Sequence, residues 1–169
     1  MENTPSQVLT VIELDKHVPR PHCCFETKPN IGLKGEYGII SKPIEVLDSR
    51  TIRIKDFSYK ASETPDGYFF AGTGDVVDQT TGKKAQIVGR DTPNNICAML
   101  ADISHQELIV RLSNNQSIYN IEWLSVFCYQ YNHDFGHMQI GLIEDEDLVP
   151  AYIPEVFESK PVLPAAKKC

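Results

Sequence analysis

The sequence is short of several things, and each shortage closes off a class of function. Across 169 residues there are 16 lysines and arginines against 23 aspartates and glutamates, a formal net charge of -7. A general nucleic-acid binder needs a basic face to release phosphate counterions, so this balance argues against one. No apolar run approaches the roughly 20 residues of a membrane-spanning helix. The opening stretch "MENTPSQVLTVIELDKHVPR" lacks the charged head, long apolar segment and small-residue cleavage site of a secretory leader. On this reading the protein is intracellular, or the chain is partial and omits its leader. There is no Ser-His-Asp order, no HExxH and no glycine-rich phosphate loop, so hydrolase and nucleotide-binding readings have no support. Gly72-Thr73-Gly74 follows a strand but opens no helix, and reads as a turn.

Cysteine is sparse and oddly placed. The five are Cys23, Cys24, Cys97, Cys128 and Cys169, with no CxxC pair among them. That removes a zinc ribbon and a thioredoxin-type motif. An odd count leaves at least one thiol free in a monomer. One N-glycosylation sequon, Asn115-Gln116-Ser117, lies in a polar turn and matters only in the secretory pathway.

What the sequence does have is short strands punctuated by turns. "TIRIKDF" alternates, with Ile52 and Ile54 on one face and Thr51, Arg53 and Lys55 on the other. "GYFFAG" reads as a buried aromatic strand, "DVVDQTTGKKAQIVG" as a hairpin around Thr81-Gly82, and "ELIVRL" as a further alternating strand. The stretch from Ile118 to Tyr131 and then "HMQIGLI" complete the set, with "NHDFG" between them as a turn. "NICAMLADIS" would allow a short helical turn, though no caps support it. Strands recurring about every ten residues without amphipathic helices predict an all-β fold, an antiparallel sandwich of jelly-roll type. Residues 35–143 form that domain. Residues 1–34 are an extension and linker broken by Pro19, Pro21 and Pro29, with a candidate strand in "VLTVIEL". Residues 144–169 are an acidic, proline-rich, loose tail. Ile52, Ile54, Phe69, Val110, Trp123 and Val126 are expected in the core.

"NIEWLSVFCYQYNHDFGHMQI", Asn120 to Ile140, carries the candidate chemistry. In a strand, Ile121, Trp123, Ser125, Phe127, Tyr129 and Tyr131 share one face, and Leu124, Val126 and Cys128 the other. Both faces are apolar, as in a central strand. Cys128 then has two readings: a small buried hydrophobe, or a reactive thiol, which needs a lowered pKa or a bound cofactor. Cys128, His133 and His137 make C-x4-H-x3-H with Asp134 between, but this spacing matches no closed four-ligand set, and no metal is expected. The aromatic face likewise reads as core packing or as a stacking platform for sugar rings.

"LDSRTIRIKDFSY", "TPDGYFFAGTG", "LIVRL" and "IEWLSVFCYQYNHDFGHMQI" resemble, in that order, the DM-thirteen domain of Skeletor and Knickkopf type. The resemblance runs from Gly35 to about Ile140. It implies an extracellular all-β domain of an electron-transfer system acting on cell-surface or matrix proteins, often beside a DOMON domain as electron donor. The family's signature cysteine falls on Cys128, as a naked redox thiol or the attachment point of a prosthetic group such as haem. Ser113 departs from the family, which usually has proline after the strand matching "LIVRL". The competing class is a non-enzymatic module that binds chitin or a matrix protein. Cys128 is expected to remain a single thiol, with His133 or His137 as the nearest cations able to activate it.

Overall fold

Strands with apolar residues on alternate positions must pair edge to edge and bury one face. The computed structural model, which describes residues 32–154 and 169, shows eight strands doing so and no helix among the described residues. They are β1 (Glu45–Asp48), β2 (Thr51–Tyr59), β3 (Gly67–Gly72), β4 (Lys83–Lys84), β5 (Gln86–Ile87), β6 (Ile103–Arg111), β7 (Trp123–Cys128) and β8 (His133–Gln139). One sheet has the order β1-β2-β6-β5 and the other β4-β3-β7-β8. Every pairing between these strands is antiparallel. The all-β sandwich expected from the sequence is the fold. The candidate strand "VLTVIEL" and the linker to Asn30 lie outside the described residues.

The inner faces meet in a core that includes Ile52, Ile54, Phe57, Tyr59, Phe69, Val110, Leu124, Val126 and Cys128. Trp123 is also fully buried, but with Phe70 and Phe127 on the outer face of the second sheet, under Val77. β7 is buried at every position, because β3 and β8 flank it and both its faces are covered.

Two bulges decide where side chains point. In β2, Ile52 and Ile54 face inward, yet so do Phe57 and Tyr59, which simple alternation forbids. The register shifts between Ile54 and Phe57, and Asp56 there has φ 54°. An extra residue in the strand switches its parity, and aspartate tolerates the left-handed conformation better than most residues. A second bulge in β8 inserts Phe135 between Asp134 and Gly136. "NHDFG" is therefore mostly strand, and the turn lies earlier, at 129–132.

Other local expectations need revision. The segment after Gly82 is not one arm of a hairpin: β4 pairs with β3, and β5 then joins β6 in the opposite sheet. The chain changes sheets at the buried Ala85. "NICAMLADIS" is irregular, and its Met99 N–H bonds to the Gly67 carbonyl at 2.9 Å. Residues 144–152, assigned by composition to a solvated tail, are held against the domain. Val149 is buried, the Tyr119 hydroxyl donates to the Asp147 carbonyl at 2.6 Å, and the Tyr152 ring has Arg50 at 4.8 Å and Arg111 at 5.0 Å.

Candidate functional site

Cys128 ends β7. Its α-carbon partners are Gly67 on β3 and His133 on β8, and only 1% of the residue is exposed. Among the described residues it is the free cysteine. Cys97, the other cysteine of the β-domain, is bridged to Cys169.

Gly67 is what makes room beside the thiol. The β2 bulge turns Tyr59 inward, and its phenol lies over Gly67. A β-carbon built on Gly67 would stand 2.9 Å from Tyr59 Cζ and closer still to the hydroxyl oxygen. The hydroxyl donates to the Thr64 carbonyl at 2.5 Å, and the fully buried Thr64 returns its own hydroxyl to the Lys60 carbonyl at 2.5 Å. Burial raises the Tyr59 pKa, the bond to Thr64 opposes this, and the neighbouring Cys128 raises it further. Phe57 continues the aromatic wall, 6.3 Å from Tyr59 and 5.1 Å from Phe69. Cys128 thus sits in an apolar, water-excluded corner beside a neutral phenol.

Neither histidine expected to activate the thiol turns toward it. His133 is level with Cys128 in register, but its Nε2 bonds to Glu36 at 2.9 Å and its ring packs edge-on against Phe135. His137 pairs across from Ser125, and its Nδ1 lies 2.6 Å from Asp134. Among the described residues no group of three or more His, Cys, Asp or Glu could hold a metal ion.

Haem ligated by Cys128 needs an open face at the sulfur and a flat cavity beside it. The Tyr59 ring fills the space over Gly67, and the thiol is shut off from solvent. The residues present do not fit that group.

The outer face of the second sheet is organised differently. Phe70 stacks on Phe127 at 4.5 Å with ring planes 8° apart, and on Trp123 at 6.1 Å. Trp123 Nε1 is buried without a hydrogen-bond partner. At the Cys128 end, Tyr129 meets Phe70 and Tyr68 edge-on, and Lys84 Nζ lies 3.9 Å from the Tyr68 centroid and 4.2 Å from that of Tyr129. Burial lowers the Lys84 pKa, and burial together with the adjacent Asp66 raises that of Tyr68. So Trp123 and Phe127 pack, while Tyr129 and Tyr131 are exposed.

The β8 bulge adds a polar cluster that spacing alone conceals. Residues three apart in a regular strand face opposite ways, but the inserted Phe135 brings Asp134 and His137 together. Asp134 Oδ1 accepts from the buried Ser125 hydroxyl at 2.7 Å and from the Gly136 N–H at 3.0 Å, while Oδ2 takes His137. The carboxylate is the central member, not the histidine, so the serine has no base. This is not a hydrolytic triad.

A sequence model described as "Electron transfer DM13" matches residues 33–140. The chain belongs to this family. Two curated relatives in Drosophila melanogaster, Protein Skeletor isoforms B/C and isoforms D/E, are each 26% identical to the DM13 chain over 108 residues. That is 64% of this chain but only 13% and 7% of those proteins, so the chain spans a small fraction of their length. No solved structure matches. Tyr59 and Gly67, which wall the DM13 cysteine, were not singled out by sequence reasoning. A glycine opening an aromatic strand was the available signal, since such glycines mark a close approach.

Proposed function

We propose that this DM13 domain is an extracellular electron-transfer module acting on cell-surface or matrix proteins, with Cys128 as its redox group. The observation that supports the reading best is a free thiol kept inside the sandwich beside a buried phenol, in a family described by electron transfer. Burial disfavours thiol–disulfide exchange at Cys128, because another sulfur must reach it in line. It favours one-electron exchange, which needs no contact with sulfur. In that step the Cys128 thiol gives one electron to an oxidised one-electron carrier on a partner protein, and its proton reaches bulk water during a transient local opening of the core. A one-electron, one-proton donor on the partner side then restores it. A DOMON domain is the partner that family resemblance supplies. The Cys97–Cys169 bridge supports an oxidising compartment outside the cell.

A second reading is a binding module for chitin or a matrix protein in which Cys128 only packs. The exposed Tyr129 and Tyr131 and the Lys84–Tyr68 pair favour it, as rings and a cation suited to a sugar face.

The test uses the purified chain. Visible absorption is recorded, Cys128 is alkylated before and after unfolding, and one-electron exchange with a soluble mediator is compared with that of Cys128→Ser. The proposal expects no Soret band, slow native alkylation and loss of exchange in the variant. Unchanged exchange in the variant, with co-sedimentation on chitin, would transfer support to the binding module.

A further inference from the structure

The Cys97–Cys169 bridge has the chemistry of an exchangeable couple, not of a core staple. Its α-carbons are 5.5 Å apart and it joins residues separated by 72 positions. Neither cysteine belongs to the buried core; Cys97 is half-buried and Cys169 exposed. Exposed disulfides are the more easily reduced ones, and their sulfurs can be approached in line.

The loop holding Cys97 is fixed by contacts that do not involve the bridge. The Arg90 guanidinium donates to the Cys97 carbonyl and to the Ala98 carbonyl at 3.3 Å. Asp91, whose side chain is 1% exposed, pairs with Arg90 at 2.9 Å and accepts the Ile87 N–H at 2.8 Å and the Cys97 N–H at 3.4 Å. Met99, two residues on, is anchored to Gly67. Opening the bridge therefore leaves Cys97 where it is. Asn95 Oδ1 lies 3.8 Å from Cys97 Sγ and 3.1 Å from Cys169 Sγ, so the same loop packs a polar side chain against both sulfurs.

We propose that Cys97 and Cys169 form a reversible dithiol–disulfide couple that exchanges with cysteine-containing peptides or protein dithiols. This is a second redox site, and it does not depend on Cys128 being redox-active. An incoming thiolate attacks the exposed Cys169 sulfur, forming a mixed disulfide, and the Cys97–Cys169 bond breaks with its electron pair on Cys97. A second thiolate of the reductant attacks its own sulfur in the mixed disulfide and releases Cys169. The reductant leaves as a disulfide, two electrons have entered the domain, and both thiolates take protons from solvent. The reverse sequence oxidises the couple.

The full chain, folded, is equilibrated with glutathione and its disulfide over a series of ratios, quenched by alkylation and mapped by peptide. Cys97 and Cys169 should become labelled together as the buffer turns reducing, with unchanged circular dichroism. Their labelling should run on the order of a hundredfold or more faster than that of Cys128, which waits for a rare opening of the core. In Cys97→Ser, glutathione should be trapped on Cys169. Three results would each overturn the proposal: a bridge that resists every ratio able to reduce the unfolded chain, one that is reduced only as Cys128 also becomes labelled, or a Cys97–Cys169 pair that does not form under glutathione disulfide. A loss of one-electron exchange in Cys128→Ser has no bearing on these outcomes, so the two sites fail or stand separately.

Discussion

Replacing Gly67 by alanine tests whether a phenol really walls the thiol. The new methyl group would meet the Tyr59 ring at Cζ, 2.9 Å away, and its hydroxyl. Tyr59 is 1% exposed and cannot swing into solvent without opening the core. Overpacking of this kind costs about 1–3 kcal/mol. Displacing the hydroxyl from the Thr64 carbonyl leaves a buried acceptor unpaired, for a further cost of about 1–3 kcal/mol. Against this, alanine restricts the unfolded chain and returns about 0.4–1 kcal/mol. The net expectation for Gly67→Ala is a loss of about 2–4 kcal/mol. Tyr59→Phe removes the oxygen in closest conflict, so Gly67→Ala in that background should cost about 1–2 kcal/mol less. The assay is urea unfolding of the wild type, both single variants and the double variant. Native alkylation of Cys128 should also accelerate in Gly67→Ala alone. If the two substitutions add within about 0.5 kcal/mol, the Tyr59 phenol does not occupy the space beside Cys128 and the geometry assigned to the site is wrong.

Cys128→Ser should lower stability by about 1–3 kcal/mol, since the new hydroxyl is buried in an apolar corner beside the phenol of Tyr59; a variant that fails to fold would make Cys128 a packing residue. The raised Tyr59 pKa has a definite sign. Its neutral form is favoured by folding, so its contribution is fully present below the ordinary tyrosine value of 10.0 and is lost as pH rises through the higher folded value. Urea midpoints should therefore fall above about pH 10, more steeply in the wild type than in Tyr59→Phe; parallel curves would contradict the assignment. Tyr152→Ala removes a ring held between Arg50 and Arg111 and should cost about 1–2 kcal/mol. A variant as stable as the wild type would show that the Tyr152 ring adds nothing to the fold.

The parts of the fold that could be read from the sequence are those set by neighbours in the chain. Alternation in "TIRI" and "LIVRL" placed Ile52, Ile54 and Val110 inward, and the two apolar faces of Trp123–Cys128 marked a central strand. The parts that could not be read depend on one inserted residue or on distant pairing. At Asp56 a single left-handed residue reverses the parity of β2, and without that reversal Tyr59 faces solvent and the wall of the Cys128 site does not exist. At Phe135 the same device places Asp134 beside His137, while His133, level with Cys128 in register, bonds to Glu36 instead. Composition marks 144–152 as acidic and proline-containing, but the Val149 N–H bonds to the Tyr119 hydroxyl at 3.1 Å, and the Tyr152 N–H bonds to Ser49 Oγ at 3.1 Å, in the turn between β1 and β2. Cysteine connectivity is likewise not encoded in spacing, and a bridge between Cys97 and Cys169 has no local signal.

The strand order also governs when the thiol is protected. The two central pairings, β2 with β6 and β3 with β7, join strands that are far apart in the chain, as in Thr51 with Arg111 and Gly72 with Trp123. Each requires a long loop to close, and topologies of this type fold in milliseconds to seconds, not microseconds. Throughout that interval β7 has only its hairpin partner β8, and Cys128 is open to solvent. Cys97 lies less than half as far along the chain from Cys128 as from Cys169, so loop closure alone favours the non-native pair by roughly 0.7 kcal/mol. In an oxidising compartment the docking of β7 onto β3 competes with a misplaced bridge. The free thiol of the finished domain is therefore a kinetic achievement: Cys128 escapes oxidation only if its strand is buried before its neighbour finds it.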